Sequence, residues 1–153
     1  MAKYVQGHER ILKRWDGTAY KPLVCLTSTD FSQALSMIET INVCTNGEVE
    51  STPDSITRSV SFSGEIVDTS SLVGGMASGE TIEELYTAQE ESRTSGVADE
   101  WVLMAANDSL NVQPKYFKGF LSDASDSFAA GSKATFSGTI TVNGVPVSVD
   151  PNL

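Results

Sequence analysis

Two segments of the chain alternate strictly between apolar and small polar residues, and they share a motif. The first is SVSFSGEIVD, from Ser59 to Asp68, and the second is KATFSGTITV, from Lys133 to Val142. Both contain Phe-Ser-Gly-x-Ile. Side chains of a β-strand point alternately to the two faces of its sheet. Each segment therefore predicts a strand with one face of Phe, Gly and Ile and an opposite face of short hydroxyl side chains.

The polar faces of these two strands carry almost no long charged side chain. An antiparallel sheet with one solvated face is the ordinary explanation for such alternation. Solvated faces more often carry Lys, Glu and Arg, so a face of hydroxyls also fits a smooth surface with a particular task. The candidate residues for that surface are Ser59, Ser61, Ser63, Glu65, Ser137, Thr139 and Thr141.

The remaining local signals predict a β-rich single domain with one α-helix. Asp16-Gly17 is a hairpin signal within residues 10–28, and DEWVLMAAN and KYFKGFLSD are predicted strands. Asn143-Gly144 is expected to turn the last strand back into VPVSV. Residues 31–42 are compatible with either strand or helix, and residues 43–55 are expected to form a long polar loop.

A single convincing helix follows the first of the motif strands. Thr81 is placed to cap it and Glu84 to complete a capping box. Ile82, Leu85 and Tyr86 form one apolar stripe at helical spacing, which we expect to pack on the sheet of the same subunit.

Length and charge limit the classes of function. The 153 residues suit one domain, 1–153, large enough to fold without disulfides or metals. Residues 1–21 hold five basic and two acidic side chains, a net charge of +3. The net charge of the whole chain is −10, so the other 132 residues carry a net charge of −13. Such an acidic surface disfavours binding to nucleic acid or to anionic membranes. No signal peptide or membrane span is apparent, which points to synthesis and use in a cytoplasm.

No constellation of residues indicates catalysis, a cofactor or a metal. His8 is the one histidine and no GxSxG elbow exists, so a Ser-His-Asp triad has no support. Cys25 and Cys44 are too few for zinc, and we expect both to be reduced and packed. Asp123 and Asp126 are best explained by a loop rather than by a calcium site.

Two further features have ordinary structural explanations. The segment 74–80 (GGMASGE) lacks the Lys-Ser/Thr of a phosphate loop and is expected to be a connector. Trp15 and Trp101 each lie in a predicted strand, so core or subunit contact is favoured over sugar stacking.

Three stretches of the chain carry motifs in a distinctive order. Residues 2–32 contain a strand, an Asp-Gly turn and a second strand, and residues 36–65 contain an Ile-Glu-Thr segment, a polar loop and a Ser-rich strand. Residues 118–147 contain a strand, a polar turn and a strand with Thr-Phe-Ser before a late Gly. Together these stretches resemble the major tail tube proteins of long-tailed bacteriophages, although Asn143-Gly144 stands where that family has Gly-x-Gly.

The resemblance implies a mainly β tail-tube fold, an antiparallel β-sandwich or barrel with one flanking α-helix, and a structural role in the virion. Such subunits form hexameric rings whose strands join into one barrel, and the rings stack into a tube that conducts DNA during ejection. It implies self-association and contact with tape measure, tail tip and terminator proteins, after assembly in the cytoplasm of a bacterial host. DNA would pass without specific binding, no membrane would be involved, and no enzymatic activity is implied. On this interpretation the candidate residues line the lumen and residues 43–55 contact the next ring.

Other hypotheses stay open from the sequence. The hydroxyl face could point outwards, because face identity is not fixed by one sequence. The chain could be a monomeric β-sandwich binding module, for example one that binds carbohydrate. It could also be another virion β-protein, such as a tail terminator or a head decoration protein.

Overall fold

The structure, a computed structural model, describes residues 4–68, 79–106 and 111–153, and its main elements are seven strands and one helix. Two short 3-10 turns, Gly7–Glu9 and Val43–Thr45, accompany them. The elements are β1 (Arg10–Trp15), β2 (Tyr20–Pro22), β3 (Leu26–Thr40), β4 (Glu50–Glu65), α1 (Ile82–Ser95), β5 (Asp99–Ala105), β6 (Lys115–Ser127) and β7 (Thr135–Val147).

All seven strands belong to one antiparallel sheet in the order β2-β1-β5-β6-β7-β4-β3. The predicted hairpin at Asp16-Gly17 is confirmed, since Trp15 pairs with Tyr20. The carboxylate of Asp16 accepts main-chain N–H bonds from Thr18 and Ala19. These bonds favour the ionised form and hold the pKa of Asp16 well below its usual range.

The shared motif forms an interlocked pair on two neighbouring strands of the sheet. β4 and β7 are antiparallel neighbours, so Phe62 lies opposite Gly138 and Phe136 opposite Gly64. A Cβ on Gly138 would come within 2.6 Å of the Phe62 ring, and one on Gly64 within 2.6 Å of the Phe136 ring. The two ring centroids are 6.3 Å apart. Each glycine therefore provides the space that the phenylalanine of the other motif occupies.

The sheet curls until its two sides approach each other, which confirms the barrel-like form of the prediction. β1 lies against β3, although four strands separate them in the sheet order. The Lys115 ammonium on β6 lies 5.3 Å from the centroid of the Phe31 ring on β3. The core fills the concave side, and its fully buried members include Leu12, Val60, Leu85, Trp101, Leu103 and Ile140.

The predicted helix is confirmed, but its predicted capping box is wrong. Ile82 and Leu85 are buried and Tyr86 packs against the core, as the apolar stripe indicated. The side chain of Thr81 makes no capping bond. Instead, strand-like bonds hold the chain before the helix: the Glu80 N–H donates to the Pro22 carbonyl over 2.8 Å, and the Glu80 carbonyl accepts from Val24.

β3 and β4 continue past the rest of the sheet as a two-stranded hairpin. β4 pairs with β7 only as far as Arg58, whereas its pairing with β3 runs on to Thr40 and Glu50. We call residues 33–57 the hairpin arm. The expected loop over 43–55 is wrong in extent, because strand β4 already begins at Glu50. Pro53 is tolerated in this strand because only one neighbour pairs with it there.

Three further predictions are corrected by the strands and their edges. Asn143-Gly144 does not reverse the chain: Lys118 pairs with Asn143 and Tyr116 with Val147, so the two extra residues form a bulge inside β7. Asp123 and Asp126 lie within strand β6 rather than in a loop. Cys25 is half-buried and Cys44 is exposed, both as free thiols, so the expectation of packing fails for Cys44.

Of the 74–80 connector, only residues 79–80 are among the described residues. No helix within the described part of the chain is long and apolar enough to cross a membrane.

Candidate functional site: a hydroxyl-lined face of the sheet

The structure brings the predicted hydroxyl residues of β4 and β7 together in register on the convex side of the sheet. Ser59 pairs with Thr141, Ser61 with Thr139 and Ser63 with Ser137. The alternation is confirmed by burial, because Val60, Phe62, Phe136 and Ile140 between them are buried in the core.

The two neighbouring strands extend this face with residues that the sequence prediction missed. On β3, Ser28 pairs with Ser63, Asp30 with Ser61 and Ser32 with Ser59. On β6, Asp123 pairs with Thr139 and Ser125 with Ser137. We call this four-stranded surface the hydroxyl face: Ser28, Asp30, Ser32, Ser59, Ser61, Ser63, Asp123, Ser125, Ser137, Thr139 and Thr141. The alternation in LTSTDFSQ and in SDASDS was the available signal for the missed residues.

Most hydroxyls of the face are hydrogen-bonded to one another across strands. Ser28 and Ser63 hydroxyl oxygens are 2.6 Å apart, and those of Ser32 and Ser59 are 2.8 Å apart. On the other side, Ser125 and Ser137 hydroxyls are 3.1 Å apart. Thr141 donates to the Ser122 hydroxyl over 3.1 Å. Because the side chains are short and bonded laterally, the face offers few free groups that could hold a ligand.

The charges on the hydroxyl face are two carboxylates, Asp30 and Asp123, both exposed. They flank the central row, in which Ser61 and Thr139 lie between them. Glu65, predicted to belong to this face, lies at its end on β4, opposite Thr135. Its carboxylate is 3.5 Å from the Lys133 ammonium, so its charge is partly compensated within the same chain.

The hydroxyl face is bounded by two strand edges that lack a pairing neighbour in the described chain. β3 is the last strand of the sheet. β5 pairs with β6 only from Lys115 to Gly119, so the rest of β6 pairs with β7 alone. Just past that point, Gln89 of the helix donates to the Leu121 carbonyl over 2.9 Å. Unpaired strand edges are templates for pairing with another chain.

Two carboxylates with a raised pKa lie away from this face, in a buried ionic cluster. The Arg14 guanidinium contacts the Glu80 carboxylate at 3.0 Å and the Asp99 carboxylate at 3.4 Å. Ser92 of α1 donates to Asp99 over 3.1 Å. Burial raises the pKa of Glu80 and of Asp99, and the Arg14 charge opposes that rise. Since Glu80 is only 2% exposed, the cluster ties the helix to β1 and β5 and does not offer a reacting group to substrate.

The other candidate sites are also accounted for by packing. Within the described residues, no group of three or more His, Cys, Asp or Glu side chains is placed to hold a metal ion. Trp101 is fully buried and donates to the Gly119 carbonyl over 3.1 Å, so it is not available for sugar stacking. Trp15 is half-buried and contacts the Tyr20 ring in a tilted arrangement, with a centroid distance of 4.9 Å.

Comparison with known proteins gives matches at the level of structure alone. No protein-family model matches the chain, and no curated protein matches its sequence. Among solved structures, a chain of the virion of a native gene transfer agent particle matches with a TM-score of 0.66 at 10% identity, covering 96% of this chain and 100% of that one. A chain of the six-fold symmetrised anti-feeding prophage baseplate matches with a TM-score of 0.63 at 10% identity, covering 94% and 95%.

The third of these similar structures is the SPP1 tail tube, with a TM-score of 0.56 at 10% identity, covering 92% of this chain and 76% of that one. The chain has a tail-tube-like fold. The tail-tube likeness predicted from the sequence is therefore confirmed for the architecture, and so is the mainly β class with one helix.

Proposed function

We propose that this chain is a structural subunit of a phage-type tail tube, in which stacked hexameric rings enclose a lumen that conducts DNA. The observation that carries the proposal is the four-stranded hydroxyl face bounded by two unpaired strand edges. The similar gene transfer agent tail was refined with C6 symmetry, and the baseplate that contains another similar chain was six-fold symmetrised. Those assemblies support the choice of six copies.

Ring closure would join the two unpaired edges head to tail. The β3 edge of one copy would pair with the β6 edge of the next, beyond Leu121. Such heterologous contacts close into a ring when the rotation between copies is a whole fraction of a turn. The four strands of each copy would then form a continuous barrel in which neither edge of the hydroxyl face is left unpaired.

The hydroxyl face would line the lumen of that barrel. Short hydroxyls bonded to one another give a polyanion no cation to bind, while Asp30 and Asp123 repel it at close range. Screening limits that repulsion to about 8 Å at physiological salt, so only carboxylates at the wall act on the DNA. We infer passage without specific binding, and a place in the virion after assembly in a bacterial cytoplasm.

The hairpin arm would make the contact between stacked rings and, at the ends of the tube, with other tail proteins such as the tape measure, tip and terminator. It carries seven exposed large apolar side chains, too many to leave in water on a two-stranded hairpin. These are Leu35, Met37, Ile38, Ile41, Val43, Val49 and Ile56.

Cysteine labelling in solution tests which surface faces the lumen. The background is Cys25→Ser/Cys44→Ser, which removes both native thiols. Ser61→Cys reports on the hydroxyl face, and Glu83→Cys, on the exposed side of α1, is the matched control. In the dilute subunit both thiols should react readily with a maleimide on a bulky polyethylene glycol. After assembly, reaction at Ser61→Cys should be strongly slowed while that at Glu83→Cys is unchanged.

The same experiment distinguishes the alternatives. Protection of Glu83→Cys with free reaction at Ser61→Cys would place the hydroxyl face outside the assembly. A protein that remains monomeric at every concentration, and whose two thiols react equally throughout, would contradict the tube and favour a monomeric binding module.

A further inference from the structure

Two half-buried cations lie together at one end of the curled sheet. Arg10 begins β1 and Lys115 begins β6, and both flank β5, where they pair with Ala105 and Leu103. Because strands alternate in direction across an antiparallel sheet, this is the end from which the hairpin arm projects. Lys115 reaches over Phe31 of β3, so the two cations lie at the mouth of the curled sheet.

Neither cation has an anionic partner among the described residues. The Nε and Nη2 atoms of Arg10 are buried and make no hydrogen bond. Lys115 makes a ring contact with Phe31 and no ion pair within the described part of the chain. Burial lowers the pKa of both groups, and the Arg10 charge lowers that of Lys115 further. A cation taken out of water without a counter-charge is costly, so these two groups would gain from a carboxylate beyond those that the described residues provide.

The hairpin arm has the complementary charge. Between residues 33 and 57 there is no Lys or Arg, and there are four carboxylates, on Glu39, Glu48, Glu50 and Asp54. The arm residues are exposed apart from the half-buried Thr45, and their apolar side chains need a surface to cover them. An acidic, apolar element of one copy thus matches an unpaired cationic mouth with the Phe31 ring beside it.

The arm of the same chain does not reach these cations. Asp54, which is nearest in register, lies beside Ser36–Met37, five to six residues beyond Phe31 on β3. At about 3.3 Å per residue this is a separation of roughly 16–20 Å along the strand. The arm of the same chain therefore supplies no carboxylate to these cations.

We propose that Arg10 and Lys115 form a carboxylate-binding site that is completed by the hairpin arm of a second copy of this chain. The contact rests on the self-assembly proposed above. It gives the arm a specific receptor on a neighbour in the same ring, in addition to its contact with the next ring, because the site lies at the end of the sheet from which the arm projects. It would lock adjacent subunits by a charge-assisted hydrogen bond in a place that water reaches poorly, where such bonds are strong.

Zero-length crosslinking of mixed isotopes tests the contact. Equal amounts of unlabelled and ¹⁵N-labelled subunit are assembled together and treated with a carbodiimide, which joins lysine amines to carboxylates in direct contact. We expect mixed-isotope crosslinked peptides that connect Lys115 to the arm. Lys133, whose partner Glu65 lies in the same chain, should give only single-isotope products.

Charge-neutral variants measure how much the contact matters. Lys115→Gln should raise the protein concentration needed for assembly by on the order of tenfold, as expected for loss of a close interfacial charge pair. Lys118→Gln is the control, because Lys118 is exposed on the same strand and lies 3.9 Å from its own Glu100. It should change that concentration by no more than about twofold. Neutralising all four arm carboxylates should reproduce the Lys115→Gln effect, and combining the two should add little.

Three results would overturn the inference, and they differ from failure of the tube. This contact would be refuted, with the tube left intact, by assembly that gives no mixed-isotope product at Lys115. It would also be refuted by crosslinks of Lys115 to Asp108 or to another carboxylate of its own chain. Equal effects of Lys115→Gln and Lys118→Gln would refute it as well. A chain that never assembles would refute the tube and this contact with it.

Discussion

Gly138→Ala should destabilise the subunit although it adds a single methyl group. The new Cβ would lie 2.6 Å from the Phe62 ring and 2.9 Å from the Asp123 carbonyl oxygen, closer than real Cβ contacts. The ring is buried and the carbonyl belongs to β6, so neither can move away cheaply. Overpacking of this kind costs about 1–3 kcal/mol. For a chain of this length that corresponds to a fall in Tm of roughly 2–12 °C.

The assay is urea unfolding of the dilute subunit, with Gly7→Ala as the matched control. Gly7 has nothing within 4 Å of its Cβ position, so that substitution should be neutral or slightly stabilising. Phe62→Leu shortens the ring side chain, and the double variant Gly138→Ala/Phe62→Leu should therefore lose less stability than the two single losses predict. Equal stability of Gly138→Ala and Gly7→Ala, or strict additivity in the double variant, would refute the interlocked packing of the two motifs.

The remaining predictions concern buried and charged groups. Burial raises the folded-state pKa of Glu80, so the free energy of unfolding should fall as pH rises from the unfolded pKa to that raised value. Glu80→Gln keeps an acceptor for Arg14 and should flatten this part of the profile of unfolding free energy against pH. The pH dependence contributed by Asp16 has the opposite sign, because its pKa is lowered in the folded state. Its contribution to stability is present above the unfolded pKa and is lost on acidification. Any difference in thermal unfolding between Asp16→Asn and the parent should therefore vanish at low pH. Trp101→Phe should lower the free energy of unfolding, measured with denaturant, by about 2–4 kcal/mol, because it leaves a cavity and an unpaired Gly119 carbonyl. A loss below about 1 kcal/mol would argue against the buried position of this ring.

The sequence was most informative where local pattern and tertiary environment agree. The alternation around the two Phe-Ser-Gly motifs predicted both strands and the sorting of their faces, because a strand buried on one side imposes period-two patterning. The helix followed from the stripe of Ile82, Leu85 and Tyr86, and the first hairpin from Asp16-Gly17.

The failures have physical causes that local patterns do not contain. Thr81 and Glu84 have the spacing of a capping box, but the main chain before the helix is already held by bonds to the Leu23 region. Asn143-Gly144 is a strong turn signal, yet pairing with β6 on both sides of it keeps the strand running and leaves a bulge. For the arm, the sequence predicted a loop over 43–55 and left strand or helix open over 31–42. These segments lack regular alternation, and only their mutual pairing defines them as strands.

Only two of the four strands of the hydroxyl face were predicted from the sequence, for a related reason. β4 and β7 share a motif and were recognised together, whereas β3 and β6 contribute Ser28, Asp30 and Ser125 from segments with weaker alternation. The cation pair was not predictable, because Arg10 and Lys115 are distant in sequence and meet only through the strand order of the curled sheet.

Electron cryomicroscopy of the concentrated protein tests the central claim most directly. The account predicts stacked six-fold rings in which the β3 edge of each copy pairs with the β6 edge of the next, and in which the lumen wall is the hydroxyl face with Ser61 and Thr139 at its centre. The central claim would be contradicted by a tube lined by another surface or by rings in which the hydroxyl face points outwards. A protein that remains monomeric throughout would also contradict it.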